Sequence, residues 1–171
     1  MHSLHIAMLA AVGIAAYTDS KTGLIPNWLT LPLIALGPIY WLVTESSEAG
    51  LRSLLAVLVV GLVPYLMYRM DSLGGGDVKL FAGLGGLGGI TLGLEVLMYS
   101  LIAAMFVAVL LMAARGQLTV IAINVGRIIA NPFLPKNRRK PPERNEMHQF
   151  RLGLSILAGT AFTLGYNYGL V

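Results

Sequence analysis

Two aspartates border apolar segments, and they are the residues of this chain best suited to do chemistry. Asp77 closes the run Gly74-Gly75-Gly76-Asp77 between two strongly apolar stretches, and Asp19 ends the first apolar segment. Two carboxylates a few ångströms apart cannot both ionise cheaply, so a pair brought together shares a proton and titrates as a unit. The ionised member can take a proton from water while the protonated one polarises a peptide carbonyl. That is amide hydrolysis without a metal or a covalent intermediate.

Other chemistries lack their parts in this sequence. With no Cys there is no disulfide framework, Cys-based zinc site or thiol nucleophile, and His2, His5 and His148 lack helical or hairpin ligand spacing. No metal and no cofactor are therefore expected. Ser20 and Ser72 have no His close by in sequence, and Glu45, Glu48 and Glu95 are expected on the opposite membrane face. Asp71 precedes the glycines rather than following them, and reads as a helix-end residue.

The surroundings of the two acids are unusual in ways that bear on position. After Asp19 come Gly23 and then Ile25-Pro26-Asn27, where Pro26 fixes its own φ and removes a donor, forcing a bend before Trp28. Trp28 suits an interfacial anchor. Before Asp77, three consecutive glycines permit backbone approaches that side chains would forbid. Beyond it, Gly83, Gly85, Gly86, Gly88 and Gly89 strip bulk from the next segment, which in a membrane favours tight helix packing. Lys21 and Lys79 each follow an acid by two residues; they read first as inside-facing anchors and second as groups that tune the acids.

The elements that must position these residues are membrane helices. A chain of 171 residues with 56% hydrophobic and 12% charged residues is not an ordinary soluble domain. The expected fold class is all-α, a polytopic membrane protein of about six transmembrane helices. Windows long enough to cross roughly 30 Å of hydrocarbon, about 17 to 25 residues each, fall at 1–17, 28–44, 51–70, 95–114 and 151–170. A short glycine-rich fourth span, Val78 to about Leu92, completes the six, with a re-entrant half-helix as the alternative.

Six spans put eleven of the twelve basic residues on one side, Arg52 alone falling on the other, in keeping with a positive-inside bias. Asp19 and Asp77 are then cytoplasmic and both termini lie outside. The chain reads as one domain over 1–171, with a basic cytoplasmic loop at 115–150. In that loop Gln117–Ala130 is apolar enough to lie in the interface as a helix. Asn131–Asn145, with four Pro and five basic residues, reads as an irregular tether. The basic stretch Lys136 to Arg151 beside a span points to anionic lipid headgroups, and no nucleic-acid partner is expected. The N-terminus lacks a Lys/Arg-rich start, so a cleaved signal peptide is not expected either.

At these residues the chain resembles the type IV prepilin peptidases, membrane aspartic proteases marked by a G-x-G-D motif and an earlier Asp followed by an I-P-N segment. Gly74-Gly75-Gly76-Asp77-Val78-Lys79 and Asp19 with Ile25-Pro26-Asn27 match in order, spacing and expected side. The likeness covers residues 10–115. It implies that Asp19 and Asp77 are the catalytic pair, with Gly74, Gly75, Gly76, Pro26, Asn27 and Lys79 as the supporting motif residues. It implies an inner-membrane, multi-pass enzyme whose partners are pilin-like precursors with a basic leader and a hydrophobic segment, cut on the cytoplasmic side. Long members also carry paired C-x-x-C motifs and methylate the new N-terminus. This chain starts at the first span and has no Cys, so it resembles the short, peptidase-only kind found with Tad/Flp-type pili or archaeal flagella, and no methyltransferase activity is expected. It departs from relatives at His148-Gln149-Phe150-Arg151, where an apolar, Pro-containing start to the last span is usual.

Two other readings remain open at this point. One is a presenilin-type intramembrane protease, which shares G-x-G-D, with Tyr17 beside Asp19 in its favour. The other is a proton-coupled carrier or assembly component that uses membrane acids as a relay.

Overall fold

The computed structural model describes residues 2–70, 72–114 and 152–167, and among these the secondary structure is entirely helical. Among the described residues there are five helices: α1 (His2–Thr22), α2 (Asn27–Thr44), α3 (Ser47–Arg69), α4 (Gly75–Ala114) and α5 (Gly153–Asn167). Residues 1–104 and 151–171 form one compact unit; 105–150 form another, of which 105–114 are described and helical. Helices α2, α3 and α4 are long and apolar enough to cross a membrane. On α2 and α3 the side chains of Leu31, Leu36, Val43, Leu51, Leu58 and Leu62 point outward, as expected where lipid is the solvent.

Helix ends are written in the local sequence. α1 stops where Gly23 takes φ 69°, a left-handed conformation that costs glycine little, and its N–H donates to the Asp19 carbonyl at 2.8 Å. Pro26, at φ −73° and ψ 144°, then sets the extended approach into α2. Ser46 caps α3, its hydroxyl accepting the Ala49 N–H at 3.2 Å.

One apolar core joins all five helices. Met8, Val12 and Ala15 of α1 meet Leu33 of α2, Val60 of α3, Leu80, Phe81 and Leu84 of α4, and Ile156 of α5. Close approach depends on absent side chains. A Cβ on Gly37 would stand 2.5 Å from the Gly86 carbonyl carbon, so α2 and α4 touch backbone to backbone there.

The chain turns sharply at Gly89. Its φ of 81° and ψ of 179° interrupt α4, a conformation essentially reserved for glycine. Gly85 and Gly93, four residues to either side, come together: a Cβ on Gly93 would lie 2.8 Å from the Gly85 Cα. A straight helix would separate them by about 12 Å. The break therefore lies at Gly89 rather than between Leu92 and Glu95, where the end of the apolar run had pointed, because only a glycine without crowding neighbours accommodates this backbone. The arm before the break, residues 75–88, is roughly 21 Å long at 1.5 Å per residue.

A break in a helix leaves carbonyls that must find donors elsewhere. Two are supplied by neighbouring helices. The Ser53 hydroxyl of α3 donates to the Gly86 carbonyl at 2.6 Å, and the Trp41 indole N–H of α2 donates to the Leu87 carbonyl at 3.1 Å. The arm after the break receives α5: the Tyr99 and Phe162 rings lie 4.8 Å apart, and the Asn167 amide donates to Glu95 at 2.8 Å.

Asp71, the basic 115–150 loop with its expected interfacial helix and tether, and His148-Gln149-Phe150-Arg151 lie outside the described residues. In thermal unfolding in detergent, two glycines should respond oppositely to an added Cβ. Gly37→Ala, forced into the Gly86 backbone, should lose about 1–3 kcal/mol. Gly13→Ala, whose Cβ would meet nothing within 4 Å, should gain about 0.5–1 kcal/mol from helix propensity.

Candidate active site

Asp19 sits in the last turn of α1 and Asp77 in the first turn of α4, which brings both to the same end of the helix assembly. Both are buried, with 6% and 9% of their surface exposed. Burying a carboxylate demands partners, and each has found the same kind.

Asp77 bends back over its own helix start, and its Oδ2 accepts the Gly74 N–H at 3.2 Å. This is the return half of a capping arrangement, with an acid at the third helical position reaching the amide before the helix. The three glycines are not equivalent. A Cβ at Gly74 would stand 2.9 Å from Asp77 Oδ2, and one at Gly76 would stand 2.9 Å from the Ile25 Cβ. A Cβ at Gly75 would meet only the Tyr68 ring at an ordinary 3.5 Å. Space is thus required at the first and third glycines, one to leave room for the acid and the other to let the α1–α2 connection press on the start of α4.

Asp19 is held from further away. Its Oδ2 accepts the N–H of Gly153, the first residue of α5, at 2.8 Å. A Cβ at Gly153 would lie 2.9 Å from the Ala16 Cα, the Asp19 Cβ and Asp19 Oδ2 alike. Gly153 was absent from the residues that the sequence singled out. Its one signal is a glycine opening the last apolar segment, and nothing in the sequence says which carboxylate it meets.

The supporting residues converge on the α4 start. Lys79 Nζ donates to Asn27 Oδ1 at 2.7 Å, joining the α2 start to the first turns of α4. An open groove of about 660 Å³ runs between the α1–α2 connection and α4, bordered by Thr18, Ile25, Pro26, Asn27, Gly76 and Lys79. Lys21 is directed elsewhere, its ammonium 4.7 Å over the Tyr17 ring, and Tyr17 itself is 60% exposed. Among the described residues no cluster of three or more His, Cys, Asp or Glu could hold a metal ion.

Comparison with known proteins follows the same residues. Residues 6–113 match the family described as the type IV leader peptidase family. Over 87 residues the chain is 39% identical to the prepilin peptidase EppA of Methanothermobacter thermautotrophicus, covering 46% of this chain and 21% of that protein. Over 78 residues it is 37% identical to the prepilin leader peptidase/N-methyltransferase of Vibrio cholerae, covering 42% of this chain and 31% of that protein. The matched stretches thus span less than a third of either relative. No solved structure matches.

The Lys79–Asn27 contact should behave as a true coupling. In a cycle of Lys79→Met, Asn27→Ala and the double variant, followed by unfolding in detergent, the effects should be non-additive by on the order of 1 kcal/mol.

Proposed function

We infer the function of this chain from one premise: it belongs to the type IV leader peptidase family. We propose that it is an integral membrane aspartic endopeptidase that removes the leader from pilin-like precursors. Asp19 and Asp77 are the catalytic pair. The observation that carries this reading is the burial of both carboxylates at one end of the assembly, inside the matched residues 6–113.

In the proposed reaction the pair holds one proton. The ionised carboxylate takes a proton from water as the water oxygen attacks the peptide carbon, and the protonated one gives its proton to the carbonyl oxygen. Collapse of the resulting diol breaks the C–N bond, and a proton from the pair goes to the leaving amine. Gly74 and Gly76 keep space for Asp77 and Ile25, Pro26 and Asn27 shape the connection after Asp19, and Lys79 ties Asn27 to α4. The groove that these residues border takes the extended segment around the scissile bond.

The proposal includes six spans, with the short glycine-rich arm after Asp77 as the fourth, both acids at the cytoplasmic face and the 115–150 loop against anionic lipid. It also includes cleavage without methyl transfer, since the chain holds no Cys for the C-x-x-C motifs of the longer members. A presenilin-type cut inside a hydrophobic segment finds less support: Tyr17, the residue that favoured it, is exposed beneath Lys21 rather than turned inward with Asp19.

Asp19→Asn and Asp77→Asn should each lower processing of a co-expressed pilin precursor by at least about 100-fold while the protein stays in the membrane. Gel mobility of the precursor reads this out, and full cleavage by either variant refutes the pair. Mass spectrometry of the mature product should place the cut just before the hydrophobic segment, with an unmethylated N-terminus. A cut within that segment would select the intramembrane alternative.

A further inference from the structure

The family match ends at residue 113, yet the Asp19 carboxylate is held by a residue forty positions beyond it. We propose that Gly153 is a positioning residue of the active site: the first amide of α5 grips Asp19 Oδ2 and turns Oδ1 toward Asp77. The inference rests on the reading of Asp19 as one of the catalytic pair, and three observations carry it.

The first is the bond itself. At 2.8 Å and buried, it spans 134 residues of chain, so it comes from the docking of α5 and not from local sequence. A hydrogen bond to an ionised carboxylate is roughly twice as strong as one between neutral groups. The donor also sits at the N-terminus of a 15-residue helix, the end that carries partial positive charge.

The second is the absence of room. A Cβ on Gly153 would fall at 2.9 Å from two atoms of Asp19 and from the Ala16 backbone. Real Cβ atoms do not approach so closely, and a backbone atom on the next helix cannot swing aside. Glycine is therefore the residue that lets α5 come near enough for its amide to reach the acid.

The third is the way α5 is seated at its other end. Gly159 packs directly on Ser100, where a Cβ would lie 2.4 Å from the Ser100 nitrogen, and Asn167 bonds Glu95. The helix is thus braced against the second arm of α4 while its first amide addresses α1. The two acids end up with matching restraints, a glycine N–H on Oδ2 in each case. That of Asp77 comes from its own turn and that of Asp19 from a different helix. Oδ1 of each carboxylate is left to carry the shared proton.

The test uses full-length protein in detergent with isotope-labelled glycine. The Gly153 amide proton should resonate at low field and should move to higher field in Asp19→Asn, where a neutral acceptor replaces the charged one. A resonance that does not move overturns the proposal. In a processing assay Gly153→Ala should lose about 100-fold in kcat with KM within about twofold, as misplacing a catalytic group by about 1 Å does. Gly13→Ala, on the same helix as Asp19 and facing open space, should keep both constants. Wild-type kcat in Gly153→Ala, or a loss confined to KM, also overturns the proposal. Should Gly153→Ala fail to fold, the resonance in Asp19→Asn decides alone. Full activity in Asp19→Asn would instead sink the catalytic pair, and the resonance would still judge the contact.

Discussion

Two carboxylates buried beside hydrocarbon are the constraint around which this chain is arranged. Neither could stay there without a donor, and for each the structure supplies one from the start of a helix, where amides have no partner of their own. The supply dictates much else. The α4 start must have room at Gly74 for the Asp77 side chain to fold back, and room at Gly76 for Ile25 to press down. The last helix must come in close enough, through Gly153, for its amide to reach Asp19. Glycine is the common requirement, and its cost in backbone entropy is offset only by contacts that no larger residue would allow.

The same economy of side chains governs the packing. In lipid the apolar surfaces of helices gain little by leaving their solvent, so association rests on close van der Waals fit and on satisfied polar groups. Gly37 against Gly86 and Gly85 against Gly93 provide the fit. Ser53 and Trp41 satisfy the carbonyls around the break. The outward leucines of α2 and α3 are left to the bilayer.

Much of this was legible in the residues themselves. The all-α class and the ends of α2 and α3 to within a few residues follow from hydropathy and helix punctuation, and the two acids that the sequence singled out are both buried in the fold. What was not legible is tertiary. Hydropathy placed the end of the glycine-rich run near Leu92, since Ile90 and Leu92 are as apolar as what precedes them. The turn falls instead at Gly89, because φ 81° excludes its apolar neighbours and because Ser53 and Trp41, far away in sequence, meet the freed carbonyls. Lys79 read first as a simple anchor, and its bond to Asn27 exists only once α2 and α4 lie side by side. Gly153 carried no motif at all, since its importance lies wholly in which atom stands opposite.

Helix α2 holds the Asp77-bearing arm at both tips. Near one tip Asn27 binds Lys79, and near the other Trp41 reaches the Leu87 carbonyl, with Gly37 seated on Gly86 between them. An arm fastened so cannot slide lengthwise against its neighbour. The position of Asp77 along the helix assembly is consequently gauged from the assembly's far end, with α2 serving as the measuring rod.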